Sequence, residues 1–376
     1  MYCDFCSAAE SPQTIAAYCF ALEKQIFHIG KLYADEPVDT VFLGGGTPTL
    51  VPPEHMARVL QALQKTFTFS PNVEFTSEGN PGTVTAEWLD MAVEHGLNRL
   101  SLGVQAAQDG LRQSIGRIHT VQDAAEAVRL ARAAGVKNLN LDAMFGLPGQ
   151  TETDYLNTLE TFRQLGAEHI SAYSLILEKG TPLHAMVEEG KRILPDEDAA
   201  AAMYEHGIEW LERNGYQRYE VSNFAKPGYE CRHNLGYWQG AWYLGLGVAA
   251  HSMLPPSAEQ RAAGAVRIRQ GSGTDVQAYI RSVTETGSAP VESVEEIGPE
   301  EAMFETMMLG LRTVYGVSER RFEQQHGTAL VQRYGKQLDR LVQEKLGSWI
   351  EENHDRRFAL SRRGIEIHNE VLMRLM

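Results

Sequence analysis

The sequence predicts an α/β fold in which a parallel sheet is covered by helices, either a TIM-like barrel or a doubly wound sheet. Between residue 39 and about residue 225, short runs rich in β-forming residues alternate with amphipathic helical stretches. Successive runs are mostly about thirty residues apart, which is the length of one βα unit. Several helical stretches end at a glycine, as at Gly96 and Gly135, and glycine is favoured just beyond a helix. Repeated units of this kind bury apolar strands beneath helices.

The predicted elements alternate in regular order along this part of the chain. Strands are predicted at residues 40–43, 73–76, 99–104, 138–145, 169–177 and 219–222. Helices are predicted between them at residues 54–65, 86–95, 121–134, 155–165 and 196–214. A strand, a helix and a second strand in succession form the crossover unit that builds a parallel sheet.

The composition changes near residue 255, and a second domain is predicted beyond it. Residues 255–273 are rich in Ala, Gly, Pro and Ser, which is typical of a connector. Helices are then predicted at 300–313, 318–326 and 330–345, followed by strands at 347–350 and 358–360 and a final helix. This order resembles a winged helix, and a helical cap packed on the barrel is the alternative. The predicted domains are 1–254 for the barrel, 255–298 for the connector and 299–376 for a mostly helical C-terminal domain.

Composition excludes several classes of protein. A chain of 376 residues with 43% hydrophobic and 22% charged residues is neither disordered nor fibrous. The net charge of −15 disfavours binding to nucleic acid or to an anionic membrane. No apolar run approaches the roughly 20 residues that a membrane helix needs. Four cysteines and no visible secretory signal predict a protein of the reducing cytoplasm.

A glycine-rich loop at residues 44–49 directly follows the first predicted strand. Its residues Gly44, Gly45, Gly46 and Thr47 allow the backbone to approach a ligand closely and leave N–H and C=O groups free to bind it. The loop matches neither the Walker pattern nor Gly-x-Gly-x-x-Gly, so a phosphate site is not predicted. A plain tight turn is the alternative.

Polar residues follow the later strands, where parallel α/β folds bind their ligands. Glu78 ends the second run, Gln105 the third and Glu178 the fifth, while Asp142 lies on the fourth and Arg117 follows the third. A glutamate suits an ammonium group, an arginine suits a carboxylate, and Gln105 or Asp142 suits ribose hydroxyls. Together these groups favour a site for an amino-acid nucleoside, although each alone is more typical of a solvated loop.

Two further motifs contain residues that bind metals. Cys3 and Cys6 form a Cys-x-x-Cys pair, whose spacing alone does not distinguish a metal site from a redox dithiol. His233 precedes Tyr237 and Trp238, so its imidazole is a candidate iron ligand beside aromatic rings that pack a flat macrocycle. A buried histidine in an aromatic core is the alternative.

Together these motifs resemble the radical S-adenosylmethionine (SAM) proteins of the oxygen-independent coproporphyrinogen III oxidase family, and more closely its heme-chaperone, HemW-like branch. The resemblance extends from Cys3 to the C-terminus. It implies a partial TIM-like (β/α) barrel with a C-terminal, mostly helical, winged-helix-like domain. The matching segments are residues 2–5, 44–49, 78–81, 99–105, 146–151, 219–225 and 233–238.

The resemblance also implies roles for the candidate residues. The glycine loop would hold the methionyl amine of SAM through its backbone, and Glu78 would help to position the cofactor. Arg117 would pair with the SAM carboxylate, while Gln105 and Asp142 would contact the ribose side. The histidine at 233 matches the His-Asn-x-x-Tyr-Trp motif implicated in heme binding.

The resemblance is incomplete at the amino terminus. The family binds a [4Fe–4S] cluster through Cys-x-x-x-Cys-x-x-Cys, and Cys3 matches only the last of these ligands. Cys6 lies three residues beyond the motif, and the first strand of the barrel is also missing. We expect an amino-terminal truncation, and a short form that has lost its cluster chemistry is the alternative.

The resemblance implies a heme chaperone that carries heme near His233 and delivers it to acceptor proteins, with a homodimer possible. The second hypothesis is a coproporphyrinogen III dehydrogenase, which oxidatively decarboxylates two propionate side chains. Such enzymes usually carry a further cysteine where this chain has Phe5, which disfavours that hypothesis. The third is a scaffold that folds but holds no cluster.

Overall fold

The computed structural model describes residues 10–352 and 355–376, so Cys3 and Cys6 lie outside it. The α-helices are α1 (Pro12–Tyr33), α2 (Pro53–Thr66), α3 (Ala86–Glu94), α4 (Asp109–Ser114), α5 (Val121–Ala133), α6 (Glu152–Gln164), α7 (Pro182–Glu188), α8 (Glu197–Arg213), α9 (Arg232–Trp238), α10 (Ala258–Ala262), α11 (Val276–Thr286), α12 (Pro299–Gly310), α13 (Glu319–His326), α14 (Leu330–Gln343), α15 (Arg362–Glu366) and α16 (His368–Met373). The strands are β1 (Val38–Leu43), β2 (Phe69–Gly79), β3 (Arg99–Gln105), β4 (Asn138–Phe145), β5 (His169–Ser174), β6 (Gln217–Arg218), β7 (Asn223–Ala225), β8 (His251–Leu254), β9 (Arg267–Ser272), β10 (Val291–Ile297), β11 (Val317–Ser318), β12 (Gly347–Glu352) and β13 (Asp355–Leu360). None of these helices has both the length and the apolar character needed to cross a membrane.

The chain forms two compact units. The first comprises the described residues up to Arg218, together with Ser222–Glu230 and Val276–Ser288. The second comprises Tyr219–Val221, Cys231–Asp275 and Ala289–Met376. The predicted connector, 255–298, contains α10, β9, α11 and β10. The predicted domain bounds at 254 and 298 stay a prediction.

The first unit is a partial (β/α) barrel built on one curled sheet of seven strands. The strand order is β1-β2-β3-β4-β5-β7-β6. Strands β1 to β5 run parallel to one another. Strand β7 runs antiparallel to both of its neighbours, β5 and β6. The predicted α/β class and the helices after the first five strands are confirmed. Residues Gly96 and Gly135 follow α3 and α5 with φ of 99° and 98°, as expected of glycines beyond a helix end.

Two of the predicted strands are wrong in extent or position. The strand predicted at 169–177 ends at Ser174, because Leu175 and Leu177 leave the sheet and pack against an apolar cluster that includes Leu147 and Leu183. Glu178 therefore lies in the following loop rather than at a strand end. No strand covers 219–222, since Glu220 forms an isolated bridge with Thr313 inside the second unit.

The two faces of the sheet differ in polarity. Leucines 100, 102, 139 and 141 alternate along β3 and β4 and are fully buried on one face. Ser101, Asn140 and Asp142 lie on the opposite face. Because helices cover the outside of a (β/α) barrel, this polar face lines the inside, and we call it the inner face.

The second unit combines two small antiparallel sheets with a helical core. One sheet has the order β10-β9-β8, and the other has the order β11-β13-β12. Helices α12 to α16 pack around buried side chains that include Met307, Phe322 and Leu338. The predicted C-terminal helices and the hairpin, β12 with β13, are confirmed, and the predicted final helix is divided into α15 and α16.

Helices α6 and α8 pack closely because one residue of α8 has no side chain. A Cβ atom on Gly207 would lie 2.5 Å from Cε1 of Tyr155, whose ring is fully buried. By contrast, a Cβ atom on Gly335 in α14 would meet nothing closer than 3.8 Å. The two glycines are both inside helices and differ in the space around them.

We therefore predict opposite effects of alanine at these two positions. Gly335→Ala should raise the free energy of unfolding by up to about 1 kcal/mol, because alanine is the better helix former. Gly207→Ala should lower it by roughly 1–3 kcal/mol, because the added methyl group overpacks Tyr155. Urea denaturation followed by circular dichroism measures both. A stabilised Gly207→Ala variant would contradict the packing described here.

Candidate functional site

The glycine loop fits against the end of β2. A Cβ atom on Gly44 would lie 3.1 Å from Glu78 Oε2 and 2.8 Å from the ring of Phe42, so a larger residue would displace one of them. Gly45 has φ of 100°, which L side chains rarely adopt, and its N–H donates a hydrogen bond to the Glu78 carboxylate. Glycine is therefore needed at both positions to bring the loop onto Glu78.

Hydrogen bonds connect this loop to the segment that follows β3. Asn80 Nδ2 donates to Thr47 Oγ1 over 3.0 Å, and Arg117 Nη1 donates to Asn80 Oδ1. A single amide thus joins the glycine loop, the end of β2 and the loop after β3. Asn80 is a positioning residue that was not among the residues predicted from the sequence.

Gln105 ends β3 in a conformation that is uncommon outside glycine. Its φ is 74°, and such backbone strain costs on the order of 1–3 kcal/mol. A Cβ atom on Gly103 would lie 3.0 Å from Gln105 Nε2, 3.4 Å from Asn80 Oδ1 and 3.5 Å from Arg117 Nη2. The three polar side chains therefore converge over the bare backbone of Gly103.

A fully buried arginine anchors the loop that carries Arg117. Arg112 donates hydrogen bonds to the carbonyl oxygens of Ala106 and His119, the latter over 3.1 Å, and pairs with Asp109. Burial lowers the pKa of its guanidinium. Arg112 was not among the predicted residues, because an arginine in a polar segment gives no signal of burial.

A hydrogen-bonded network holds the rest of the inner face. Asn140 Nδ2 donates to Ser101 Oγ over 2.8 Å and to Asp142 Oδ1 over 2.7 Å. The Oδ1 atom of Asn140 accepts from Ser171 Oγ over 3.0 Å and lies 2.6 Å from His169 Nδ1. Burial lowers the pKa of His169 well below its usual value, so this imidazole is neutral.

Two carboxyl groups share the inner face and influence each other. Burial, and then the nearby Asp142, raise the pKa of Glu78 to about 7, against the stabilising hydrogen bond from Gly45. Burial also raises the pKa of Asp142, although hydrogen bonds from Asn140 and Ser171 and the charge of Arg117 oppose the shift. Two neighbouring carboxyl groups of this kind favour a bound cation, because an ammonium or sulfonium group would stabilise the ionised forms of both Glu78 and Asp142.

The structure thus brings together most of the strand-end residues that the sequence singled out, whereas Glu178 lies in the loop after β5. The glycine loop, Glu78, Gln105, Arg117 and Asp142 all lie at the carboxyl ends of β1 to β4 or on the inner face beside them. The site offers carboxylates for a cation, a guanidinium for an anion and exposed glycine backbone. These are complementary to the charged groups of an amino acid.

The described part of the chain shows no set of thiolates that could hold an iron–sulfur cluster. Cys3 and Cys6 lie outside it, and Cys19 and Cys231 are buried. Burial raises the pKa of the Cys19 thiol to about 11, which disfavours the thiolate that binds metal. Within residues 10–352 and 355–376, no three His, Cys, Asp or Glu side chains form a metal site.

His233 belongs to the second unit, on the short helix α9. None of the seven residues of α9 is fully buried, and His233 itself is partly exposed. The His233 ring packs edge-on to Tyr237 with centroids 4.8 Å apart, and its Nε2 lies 3.1 Å from the Tyr237 hydroxyl. Burial raises the pKa of Tyr237 to about 12, so its hydroxyl stays protonated.

Glu78 makes the stability of the protein pH-dependent. Between its usual pKa of 4.5 and about 7, the folded state holds a proton that the unfolded chain releases, so the free energy of unfolding falls as pH rises. Glu78→Gln is neutral throughout. We predict that the free energy of unfolding of Glu78→Gln, relative to that of the wild type, rises by about 1–3 kcal/mol between pH 4 and pH 8. Urea titrations at both pH values measure it, and a constant difference would show that Glu78 ionises normally.

Comparison with known proteins identifies the family and the fold. The model of the radical SAM superfamily matches residues 1–162, and the HemN C-terminal domain matches residues 297–367. The chain is similar in fold to the coproporphyrinogen III oxidase HemN from Escherichia coli, with a TM-score of 0.80 and 21% identity, covering 100% of this chain and 86% of that one.

Curated relatives are similar along nearly the whole sequence. The chain is 35% identical to the heme chaperone HemW of Bacillus subtilis, covering 98% of this chain and 94% of that protein. It is 32% identical to the mitochondrial radical S-adenosyl methionine domain-containing protein 1 of Danio rerio, covering 99% and 82%. On this similarity, the chain belongs to the HemW family of the radical SAM superfamily.

Proposed function

We propose that this protein is a heme chaperone, which binds heme through His233 and transfers it to acceptor proteins. The observation that carries the proposal is the partly exposed histidine and aromatic residues of α9 in a chain that is similar to HemW proteins over nearly its full length. The likeness to HemN, at 21% identity, concerns the fold and does not favour the alternative of a coproporphyrinogen III dehydrogenase.

The chemistry of α9 supports an iron ligand. A neutral imidazole nitrogen binds heme iron, and the Tyr237 hydroxyl at 3.1 Å orients the His233 ring. Tyr237 and Trp242 are 41% and 54% exposed, which is unusual for large aromatic rings unless they contact a ligand. Tyr237 also packs edge-on to the partly buried Tyr243, with ring centroids 4.7 Å apart, which holds the exposed Tyr237 ring in place.

We further propose that the inner-face site of the first unit binds SAM. The exposed backbone of the glycine loop and the carboxylate of Glu78 would hold the methionyl amine, and Arg117 would pair with the carboxylate. Gln105 and Asp142 would contact the ribose. The bare backbone at Gly44 and Gly103 fits this role, because a Cβ atom at either position would crowd the polar groups around it.

Cys3 would contribute one thiolate to a [4Fe–4S] cluster, and Cys6 is not assigned. Bound beside such a cluster, SAM supplies radical chemistry in this superfamily. The protein's own contribution would be to orient SAM through the guanidinium of Arg117, which a hydrogen bond to Asn80 holds in place. A cytoplasmic location and a homodimer remain predictions from the sequence.

The heme proposal predicts a histidine-dependent spectrum. Titration of hemin into the wild type should change its Soret absorbance, and His233→Ala should lose this change or weaken binding at least tenfold, because the iron loses an axial ligand. His251→Ala is a matched control, since His251 is an exposed histidine of the same unit. Identical titrations for the wild type and His233→Ala would remove His233 from the mechanism.

The SAM proposal predicts that Arg117 contributes directly to binding. In equilibrium dialysis of SAM against the full chain, Arg117→Lys should weaken binding by about tenfold, because lysine keeps the charge but loses the two-pronged hydrogen bond. Arg129→Lys is the control, since Arg129 lies exposed on α5 and pairs with Glu126. Equal affinities for the wild type and Arg117→Lys would exclude a bidentate contact with SAM.

A further inference from the structure

The second unit contains a cavity of about 350 Å³ that begins two residues after the end of α9. Gly240 and Trp242 line one side. The remaining wall is mostly apolar and includes Val266, Pro299 and Met303. Largely apolar pockets with one or two polar groups are typical of sites for organic ligands. The residue that decides what this cavity binds is Arg267.

Arg267 is a buried cation that forms no ion pair with any residue the structure describes. The residue is 6% exposed, lines the cavity, and forms no hydrogen bond or ion pair through its side chain with any residue in the described ranges. Its guanidinium carbon lies 6.0 Å from the centroid of the Trp242 ring. An unpaired buried charge is costly, and native proteins usually compensate it with a partner.

The neighbouring charges do not supply that partner. The charge of Glu305 favours the ionised Arg267, but Glu305 forms its ion pair with Arg269, which also pairs with Glu295. Arg321 and Arg269 add further positive charge around Arg267. His326, which also lines the cavity, has its pKa lowered to about 4 by burial and is neutral. The wall of the cavity is therefore positive, and the missing partner is an anion.

We propose that this cavity binds a propionate carboxylate of the heme that His233 holds, with Arg267 as its partner; the inference rests on the proposed heme binding. Heme is a flat apolar ring with carboxylates along one edge, which matches an apolar cavity with one buried guanidinium. From His233 to the end of α9 at Trp238 the helix rises by roughly 7–8 Å, and Gly240, which lines the cavity, follows two residues later. Trp242, whose ring is 54% exposed, lines the cavity and is next in sequence to Tyr243, whose ring packs on that of Tyr237.

The test compares hemin with hemin dimethyl ester, in which both carboxylates are blocked. For hemin, Arg267→Met should weaken binding to the full chain by about tenfold or more, the value expected for a charge-assisted contact. For the ester, the wild type and Arg267→Met should bind alike. Arg320→Met is the matched control, because Arg320 is an exposed arginine of the same unit that does not line the cavity.

Stability measurements separate a role in binding from a role in folding. Because Arg267 is buried and unpaired, Arg267→Met should have a urea midpoint equal to or above that of the wild type. If Arg267→Met is destabilised, Arg267→Lys serves in its place, because lysine keeps the charge but loses the bidentate guanidinium. Arg267→Lys should bind hemin more weakly than the wild type and bind the dimethyl ester equally well.

The two proposals fail in different ways. If hemin binding to the wild type does not depend on His233, the proposed function fails. If binding depends on His233 but Arg267→Met and the wild type bind hemin equally, the propionate site is wrong. An equal loss of hemin and of its ester in Arg267→Met would also overturn it, since the effect would then not concern the carboxylates.

Discussion

The hydrogen bonds of Asn140 organise the inner face of the partial barrel. This amide is 2% exposed and contacts Ser101, Asp142, Ser171 and His169, so neither of its polar atoms is left without a partner. A buried polar group without a partner costs about 1–3 kcal/mol, which gives such a network few alternative arrangements. The position of Asp142, and through it the charge on Glu78, depends on this constraint.

The two candidate sites are built on opposite principles. In the first unit, polar side chains around Asn80 and Asn140 satisfy one another, and the ligand would complete an existing network. In the second unit, Arg267 is buried without a partner anion among the described residues. Features that reduce stability but persist in a fold are most easily understood as parts of a binding site.

The sequence predicted the fold where its signals are local. The strand over 138–145 and the helix over 86–95 follow from apolar pattern and caps, and both agree with the structure to within one residue. The segment at 219–222 is rich in strand-forming residues, but Glu220 pairs with Thr313, far along the chain. A local pattern contains no information about such a partner, so the prediction failed there.

The same distinction applies to the sites. By itself, the sequence determined which residue types stand at the strand ends, and therefore that Glu78, Gln105, Arg117 and Asp142 would meet, because parallel strands place their carboxyl ends along one edge. Only the tertiary structure decided that Arg112 and Arg267 are buried and that α9 is not. Burial depends on which distant segments cover a residue, and that is decided by packing rather than by the residue's neighbours in sequence.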